Sequence, residues 1–160
     1  MTSPIVRPAT PEDAPAVAEI WRDGWRDAHL GHVPDSLVAV RTDESFRTRA
    51  ADRVGDTTVA VVAGEVAGFV MVVGDEVEQV YVSSRHRGTG VADSLLAAAE
   101  RQVRANGHAG AWLAVVDRNG RARGFYERLG WQDDGGFDYE AAVEDGTTVA
   151  VPCRRYVKAV

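Results

Sequence analysis

The chain has 160 residues and a formal net charge of −6. Its hydrophobic and charged fractions, 45% and 26%, exclude a disordered chain and fit a single domain over residues 1–160. The negative charge argues against a general nucleic-acid binder, and the apolar run over 66–73 is too short to cross a membrane. One cysteine, Cys153, excludes an internal disulfide, and residues 1–10 lack a signal-peptide core, so a cytoplasmic protein is expected.

The first half of the chain predicts a short strand, two helices and a meander of three strands. Thr10 followed by Pro11 is a typical helix start, and apolar residues then recur every three or four positions until Gly31. Thr42 begins the second helix, which runs toward Gly55. The predicted strands are residues 5–6 and three valine-rich stretches over 57–63, 66–73 and 76–82.

The pattern then changes to a helical period. Apolar residues over 92–103 follow helical spacing, and residues 106–107 (Asn-Gly) end that helix. Residues 111–116 form an apolar strand, which we expect to lie parallel to an earlier strand because a helix connects the two. Asn119 begins a further helix that ends at Gly130.

The C-terminal part predicts two more strands. Residues 131–148 are acidic and glycine-rich and contain a turn at Asp145 and Gly146. A last strand over 149–157 is predicted to be interrupted by Pro152. The resulting order, β-α-α-β-β-β-α-β-α-β-β, is that of a mixed α/β domain.

Arginine is concentrated in one part of the chain. Eight arginines and four acidic residues lie between Arg85 and Arg128, a net charge of +4, so the remainder carries −10. A basic segment in an acidic protein indicates a locally held anionic ligand, and the acidic remainder favours a cationic second ligand. Ordinary variation in charge among surface helices is the alternative.

The most informative junction is the loop that joins the third meander strand to the next helix. Gly88 and Gly90 let its backbone approach a phosphate closely, and free N–H groups at a helix N-terminus bind anions. Arg85 and Arg87 add positive charge and forked donors. The loop therefore predicts an anion site, with a solvated turn as the alternative. It is not a P-loop, since no Lys-Ser/Thr pair follows the second glycine.

Two motifs resemble those of the GNAT N-acetyltransferase superfamily. Arg85-x-x-Gly88-x-Gly90 resembles the family's Gln/Arg-x-x-Gly-x-Gly/Ala motif, and the strand before it resembles the strand that pairs with the coenzyme. Downstream, the segment from Asn119 to Trp131 is similar to the family's N-x-x-A-x-x-F-Y-E-K-x-G-F segment. The two motifs stand in the family's strand-helix-strand-helix order, and the resemblance extends from about residue 57 to 131.

This resemblance implies the GNAT fold: a mixed, mostly antiparallel sheet with a central splayed parallel pair, flanked by helices. It implies acetyl-CoA as co-substrate and no metal. The pyrophosphate is expected on the backbone N–H groups of residues 87–91 with the Thr89 hydroxyl, and the pantetheine arm in a slot beside residues 82 and 114. The implied coenzyme-binding residues are Val80, Tyr81, Val82, Arg85, Arg87, Gly88, Thr89, Gly90, Val91, Ala92, Asn119 and Ala122.

The resemblance also implies catalytic residues. Tyr126 stands where the family places a tyrosine that protonates the leaving thiolate, with core packing as the alternative. Asn119 is expected to orient the coenzyme or its bound water, with helix capping as the alternative. Glu76 and Glu78 lie on the strand before the loop, and Glu78 is the first choice as general base. Solvent-facing acids, or an ordered water acting as the base, are the alternatives.

Three residues of the first helix are candidates for the acceptor site. Trp21, Trp25 and His29 recur every four residues, and in the family this helix and the loop after it line the acceptor pocket. Core packing is the alternative for the tryptophans. No third metal ligand accompanies His29 and His32, and Cys153 is interpreted as an inert buried thiol.

Together, the residues and the resemblance predict an N-acetyltransferase. It would move an acetyl group from acetyl-CoA to a primary amine of a small molecule, by direct attack in a ternary complex. A non-catalytic acyl-CoA-binding sensor and a protein N-terminal or lysine acetyltransferase are the alternatives. The expected partner is the amine acceptor, with no nucleic acid and no membrane, and a homodimer is left open.

Overall fold

The computed structural model describes residues 3–143 and 146–160. Its helices are α1 (Ala14–His29), α2 (Asp35–Val40), α3 (Asp43–Asp52), α4 (Val91–Ala105) and α5 (Gly120–Arg128). Its strands are β1 (Ile5–Pro8), β2 (Thr57–Val62), β3 (Glu65–Val73), β4 (Glu76–Val82), β5 (Gly110–Val116), β6 (Gln132–Ala142) and β7 (Thr148–Ala159). Short 3-10 turns lie at Pro11–Asp13, Val54–Asp56 and Ser84–His86.

The seven strands form one sheet in the order β1-β2-β3-β4-β5-β7-β6. Neighbouring strands are antiparallel except β4 and β5, which are parallel and connected through α4. The predicted fold, a mostly antiparallel sheet with one central parallel pair and flanking helices, is confirmed. We call the side of the sheet that packs against α4 and α5 the α4 face, and the side that packs against α1 and α3 the α1 face.

Each face of the sheet has its own hydrophobic core. On the α4 face, Leu95 of α4 packs in one buried cluster with Val70 of β3. On the α1 face, Trp21 and Phe46 pack with Phe69, the neighbour of Val70 in the same strand. Successive side chains of a strand point to opposite faces, so β3 contributes to both cores. The two cores fix α1 and α4 on either side of the central strands.

The helix starts follow local capping. Thr42 accepts a hydrogen bond from the backbone N–H of Ser45 at 3.1 Å, as the predicted second helix requires. At the first helix, Asp13 accepts from the Thr10 N–H at 2.8 Å, but residues 11–13 form a 3-10 turn and the α-helix begins only at Ala14. Within the described residues, none of the helices combines the length and apolarity needed to cross a membrane.

The structure differs from the predicted order by one helix. The short helix α2 was not predicted, because its six residues complete fewer than two turns and leave no clear period in the sequence. Leu37 is its buried residue, at 1% exposure, and packs in the core of the α1 face. Packing in the α1-face core thus stabilises a helix that the local sequence does not predict.

The predicted interruption of the last strand is wrong. β7 runs through Pro152, which lies opposite Asp138 of β6. The β5–β7 ladder ends at Cys153, so at Pro152 the strand has a neighbour on one side only and tolerates the missing N–H. Of the turn predicted at Asp145 and Gly146, Asp145 lies outside the described residues.

Candidate active site

The parallel strands β4 and β5 are paired at one point and then diverge. Glu76 pairs with Trp112, and the Trp112 N–H donates to the carbonyl oxygen of Asp75 at 3.0 Å. No other residue of these strands, which the structure describes throughout, joins the β4–β5 ladder. The later part of β4 therefore has no partner strand on its β5 side, and its backbone can pair with an extended ligand.

A β-bulge lies where the two strands begin to separate. Against β3, Val77 and Gln79 are paired with consecutive residues, which leaves Glu78 as the extra residue of β4. A bulge of this kind bends a strand and redirects the side chains next to it. It places Glu78 on the α1 face, where its carboxylate meets Arg53 of the turn after α3.

The loop that follows β4 presents backbone rather than side chains. Gly88 and Gly90 have φ of +75° and +82°, conformations that glycine adopts without strain. Gly90 is the N-cap residue of α4, and within the described chain no side chain caps this helix. The first N–H groups of α4 are thus available to an anion.

The basic side chains of this loop are paired with surface acids. Arg85 lies 2.6 Å from Glu65, and Arg87 lies 3.1 Å from Asp27 of α1. All four side chains are at least 41% exposed, so these pairs are weak and a phosphate group can replace the acids. The Thr89 hydroxyl donates to the carbonyl oxygen of His86, so its proton is used within the loop.

Consecutive residues of β4 point to opposite faces of the sheet, next to the slot that opens between β4 and β5. Val80 and Val82 pack on the α4 face, whereas the Tyr81 ring packs against Phe69 on the α1 face. Gly24 of α1 makes room for this ring, because a Cβ at position 24 would lie 2.3 Å from it. Among the predicted coenzyme residues, Tyr81 is therefore placed to contribute its backbone but not its side chain.

Asn119 serves as the N-cap of α5. Its side-chain oxygen accepts a hydrogen bond from the Ala122 N–H at 3.2 Å. This geometry is that of the capping alternative, and it uses only the oxygen of the amide. A contact between the amide nitrogen and a coenzyme stays a prediction.

Tyr126 projects from α5 into the α4-face core. Its ring lies 6.3 Å from the rings of both Trp131 and Tyr156, so the core-packing alternative describes part of its environment. Its hydroxyl has no hydrogen-bond partner among the residues that the structure describes. Burial raises the pKa of Tyr126, so the phenol stays protonated at neutral pH. It is an available proton donor.

The two acids of β4 have different environments. Glu76 accepts a hydrogen bond from the Tyr139 hydroxyl at 2.8 Å, and burial raises the pKa of its carboxyl group. Glu78 instead accepts from Arg53, at 2.6 Å. A raised pKa suits a general base, whereas the carboxylate of Glu78 is already engaged by a guanidinium group. The geometry thus favours Glu76 over Glu78, which was the first choice from sequence.

The aromatic residues of α1 are mostly core residues. Trp21 and Trp25 are 0% and 6% exposed, as the alternative interpretation for the tryptophans requires. His29 stacks on Trp25 with ring centroids 4.7 Å apart, and its Nδ1 lies 2.9 Å from the Trp25 carbonyl oxygen. Burial lowers the pKa of His29 to about 4, so the ring is neutral at physiological pH. Only His29 remains a candidate for acceptor contact.

Sequence reasoning missed the arginines on the α1 face. The Arg49 guanidinium lies 4.2 Å above the ring of Trp21, and Arg53 follows one turn later. Within the described part of the chain, five buried side-chain nitrogens lack a hydrogen-bond partner, and three of them are here: Trp21 Nε1, Arg49 Nη1 and Arg53 Nη2. These arginines follow no recognisable motif, and only packing on the sheet brings them to the bulge of β4.

Metal-ligating side chains and Cys153 were also considered in the sequence, and the structure describes the surroundings of both. Among the described residues, no group of three His, Cys, Asp or Glu side chains has the arrangement of a metal site. Cys153 is buried, and burial raises the pKa of its thiol to about 11. A thiol of this kind is a poor nucleophile at neutral pH, which agrees with its interpretation as inert.

The slot between β4 and β5, the loop before α4 and Tyr126 were compared with known protein families. The model of the acetyltransferase (GNAT) family matches residues 14–131, which include all of them. The chain belongs to the GNAT family. A search among curated proteins found no match.

Solved GNAT structures share the fold over the whole chain. A GCN5-related N-acetyltransferase from Rhodopseudomonas palustris is 21% identical and superposes with a TM-score of 0.76, covering 100% of this chain and 98% of that one. The PaiA N-acetyltransferase from Thermoplasma acidophilum, in complex with coenzyme A, is 15% identical with a TM-score of 0.74, covering 99% of each chain. YncA from Salmonella typhimurium, with its cofactor acetyl-CoA, is 18% identical with a TM-score of 0.69, covering 99% and 94%.

Proposed function

We propose that this chain is an acetyl-CoA-dependent N-acetyltransferase that acetylates the primary amine of a small molecule. The observation that carries the proposal is the slot between β4 and β5, where β4 leads to the uncapped N-terminus of α4. A protonated tyrosine, Tyr126, packs in the same α4-face core as Val80 and Val82 of β4. Two structures that share the fold were solved with coenzyme A or acetyl-CoA, which supports this choice of co-substrate.

In this proposal the coenzyme lies on the α4 face. The backbone N–H groups of residues 87–91 hold its pyrophosphate, and the positive φ of Gly88 and Gly90 keeps these groups accessible. Arg85 and Arg87 leave their surface acids and approach the phosphates. The pantetheine arm pairs with the backbone of β4 along its unpartnered edge. The thioester then lies between the two faces of the sheet.

The amine enters from the α1 face and attacks the thioester carbonyl carbon directly. A C–N bond forms, the C–S bond breaks, and a backbone N–H of β4 stabilises the negative charge on the carbonyl oxygen. Tyr126 gives its proton to the departing thiolate. Burial raises the pKa of the phenol, but a thiolate formed in the same buried place is also a stronger base, so the transfer remains favourable.

A base must take the proton that the amine loses. Glu76 is the better candidate, because burial raises the pKa of its carboxyl group and its only direct partner in the described structure is the Tyr139 hydroxyl. We expect Glu76→Gln to lower kcat by about 10- to 100-fold, and Glu78→Gln to change it less than threefold. The opposite order in steady-state kinetics would restore Glu78 as the base.

The decisive experiment combines binding and turnover. Acetyl-CoA at millimolar concentration is expected to raise the melting temperature, and adenosine much less, because the phosphates supply the binding charge. Release of the CoA thiol is then followed across a panel of small amines and peptides. Absence of any thermal shift contradicts the proposal. Binding without turnover favours a sensor, and turnover with peptides alone favours a protein acetyltransferase. Cytoplasmic location and a homodimer remain predictions from sequence.

A further inference from the structure

Arg49 is a half-buried cation, and none of the described residues forms an ion pair with it. Its guanidinium group lies over the rings of Trp21 and Phe46, at 4.2 and 5.7 Å from their centroids. Nη1 is inaccessible to solvent and has no acceptor among the described residues. Burial, with Arg41 and Arg53 nearby, lowers the pKa of Arg49 to about 10, so the group is still charged at neutral pH.

The nearest carboxylate does not serve Arg49. Glu78 accepts its hydrogen bond from Arg53 at 2.6 Å, and Asp56 accepts from the same arginine at 3.1 Å. Even so, Nη2 of Arg53 is a further buried donor with no acceptor in the described chain. An unsatisfied buried donor is costly, and a buried charge more so. Two arginines that carry such donors, at the end of α3 and in the turn after it, are suited to the oxygens of an anion.

This pair of arginines lies on the acceptor side of the slot. Burial is the main cause that raises the pKa of Tyr81, Tyr126 raises it further, and Arg49 lowers it. Both groups are thus near enough to act electrostatically on Tyr81, whose ring packs on the α1 face. In the proposed function, the coenzyme phosphates bind at the loop before α4 rather than at Arg49. An anion at Arg49 is therefore part of the acceptor.

We propose that the acceptor is a primary amine that also carries a carboxylate, and that Arg49, assisted by Arg53, binds this carboxylate. The inference rests on the proposed acetyltransferase function. Glu76 on the same face provides the opposite charge for the amine, so the site matches a zwitterion such as an amino acid. The half-buried guanidinium group fixes the carboxylate, and the amine is then directed toward the slot beside Tyr81.

This inference departs from the expectation of a cationic acceptor. That expectation used the charge of −10 outside the basic segment, whose described acids lie mainly at exposed positions. Exposed charges are screened within about 8 Å at physiological salt, whereas a buried group acts on its neighbour almost unscreened. The charge of the residues that touch the acceptor therefore outweighs the charge of the whole surface.

The test compares amines that differ only in the carboxylate. CoA release is measured for each common amino acid, for its amide and for the amine that lacks the carboxyl group. We expect kcat/KM to be about 10- to 100-fold higher for the preferred amino acid than for its amide. The amide has the less basic amine and is more fully deprotonated, so amine ionisation cannot produce this preference. Equal values for acid and amide overturn the inference and leave the acetyltransferase function intact.

Variants on α3 assign the preference to one residue. Arg49→Met keeps the length and the apolar contacts of the side-chain stem. In this variant, the ratio of kcat/KM for the amino acid to kcat/KM for its amide is expected to fall close to one. Arg49→Lys is expected to restore part of it. Arg47→Met is the matched control, because Arg47 is exposed on the same helix, and its ratio should equal that of the unmodified chain. An unchanged ratio in a folded Arg49→Met protein overturns the inference.

A separate readout covers the case of no turnover. If CoA is released with none of the amines, the proposed function fails. The binding of amino acids to the chain saturated with CoA is then measured by calorimetry. Binding that Arg49→Met weakens by tenfold or more supports the carboxylate site independently of catalysis. Binding that does not depend on Arg49, or no binding of any amino acid, overturns it.

Discussion

The two sides of the slot between β4 and β5 differ in the groups that they present: exposed loop backbone on one side and packed side chains on the other. On the α4 side, the loop from Ser83 to Gly90 is mostly exposed, and its arginines make surface ion pairs. On the α1 side, buried or half-buried side chains carry the site, and Arg53 holds Glu78 at 2.6 Å. The first side depends on φ values at two glycines, whereas the second depends on how α1 and α3 pack on the sheet.

This difference separates binding from stability. A change in the exposed loop can remove ligand affinity while most of the core stays intact, since few packed contacts are lost. A change on the α1 side alters packing and charge together, so stability and turnover are expected to respond in the same variant. Four variants test this comparison.

The largest effect is expected at Gly90. A valine there is forced to φ near +82°, a conformation that β-branched residues avoid, so the loop changes shape and the N–H groups of α4 are no longer presented. We expect acetyl-CoA to lose its effect on the melting temperature, and the free energy of unfolding to fall by only about 1–2 kcal/mol. Gly55→Val is the control, since Gly55 has open space and no positive φ. Unchanged affinity by calorimetry in folded Gly90→Val protein would contradict the site.

Tyr126→Phe is expected to lower kcat by roughly 10²–10⁴-fold. The ring that packs against Trp131 and Tyr156 is kept, so acetyl-CoA affinity and stability should change little. The loss should shrink with an acyl donor whose thiol has a lower pKa, because that thiolate needs less protonation. If kcat is unchanged when chemistry limits the rate, Tyr126 is a core residue only.

These two variants probe what the sequence alone could predict. The loop was predictable, because glycine spacing, flanking arginines and the start of α4 are contiguous and act through the backbone. Tyr126 was predictable through its resemblance to the family segment. The role proposed for Arg49 was not, because it depends on the approach of the end of α3 to β4, a contact between distant parts of the chain. Trp21 could not be assigned from spacing, since a helical period marks a buried face whether or not a ligand lies beyond it.

The third prediction concerns the pH dependence of stability at His29. Its pKa is about 4 in the folded chain, because burial disfavours the charged ring, against an ordinary value of 6.5 when unfolded. Below pH 6.5, His29 is therefore protonated in the unfolded chain but stays neutral in the folded chain. The free energy of unfolding falls as the pH is lowered to about 4. We expect a loss of about 2–3 kcal/mol across this window.

The measurement is denaturant unfolding at several pH values in this window. His29→Phe keeps a ring over Trp25 but cannot titrate, so its stability should fall less between pH 7 and pH 5 than that of the unmodified chain. His108→Gln, which replaces a histidine at an exposed position, is the matched control. Equal slopes for His29→Phe and the unmodified chain would show that the ring is solvated rather than buried.

The smallest loss of activity is expected at Gly24, where a single methyl group tests how closely α1 fits β4. The Cβ of Gly24→Ala would lie 2.3 Å from Cδ1 of Tyr81, and Phe69 packs on the same ring 5.9 Å away between centroids. The ring must shift, and overpacking of this kind costs about 1–3 kcal/mol, although alanine favours a helix more than glycine does. Because the Tyr81 ring packs on the α1 face of β4, its displacement should also lower kcat several-fold, while the KM for acetyl-CoA stays within twofold. Gly120→Ala, with no atom within 4 Å of the new methyl group, is the matched control and should change neither quantity. A Gly24→Ala protein with full activity and higher stability would show that helix propensity outweighs the contact, and that the α1 side is more loosely packed than the ring contacts imply.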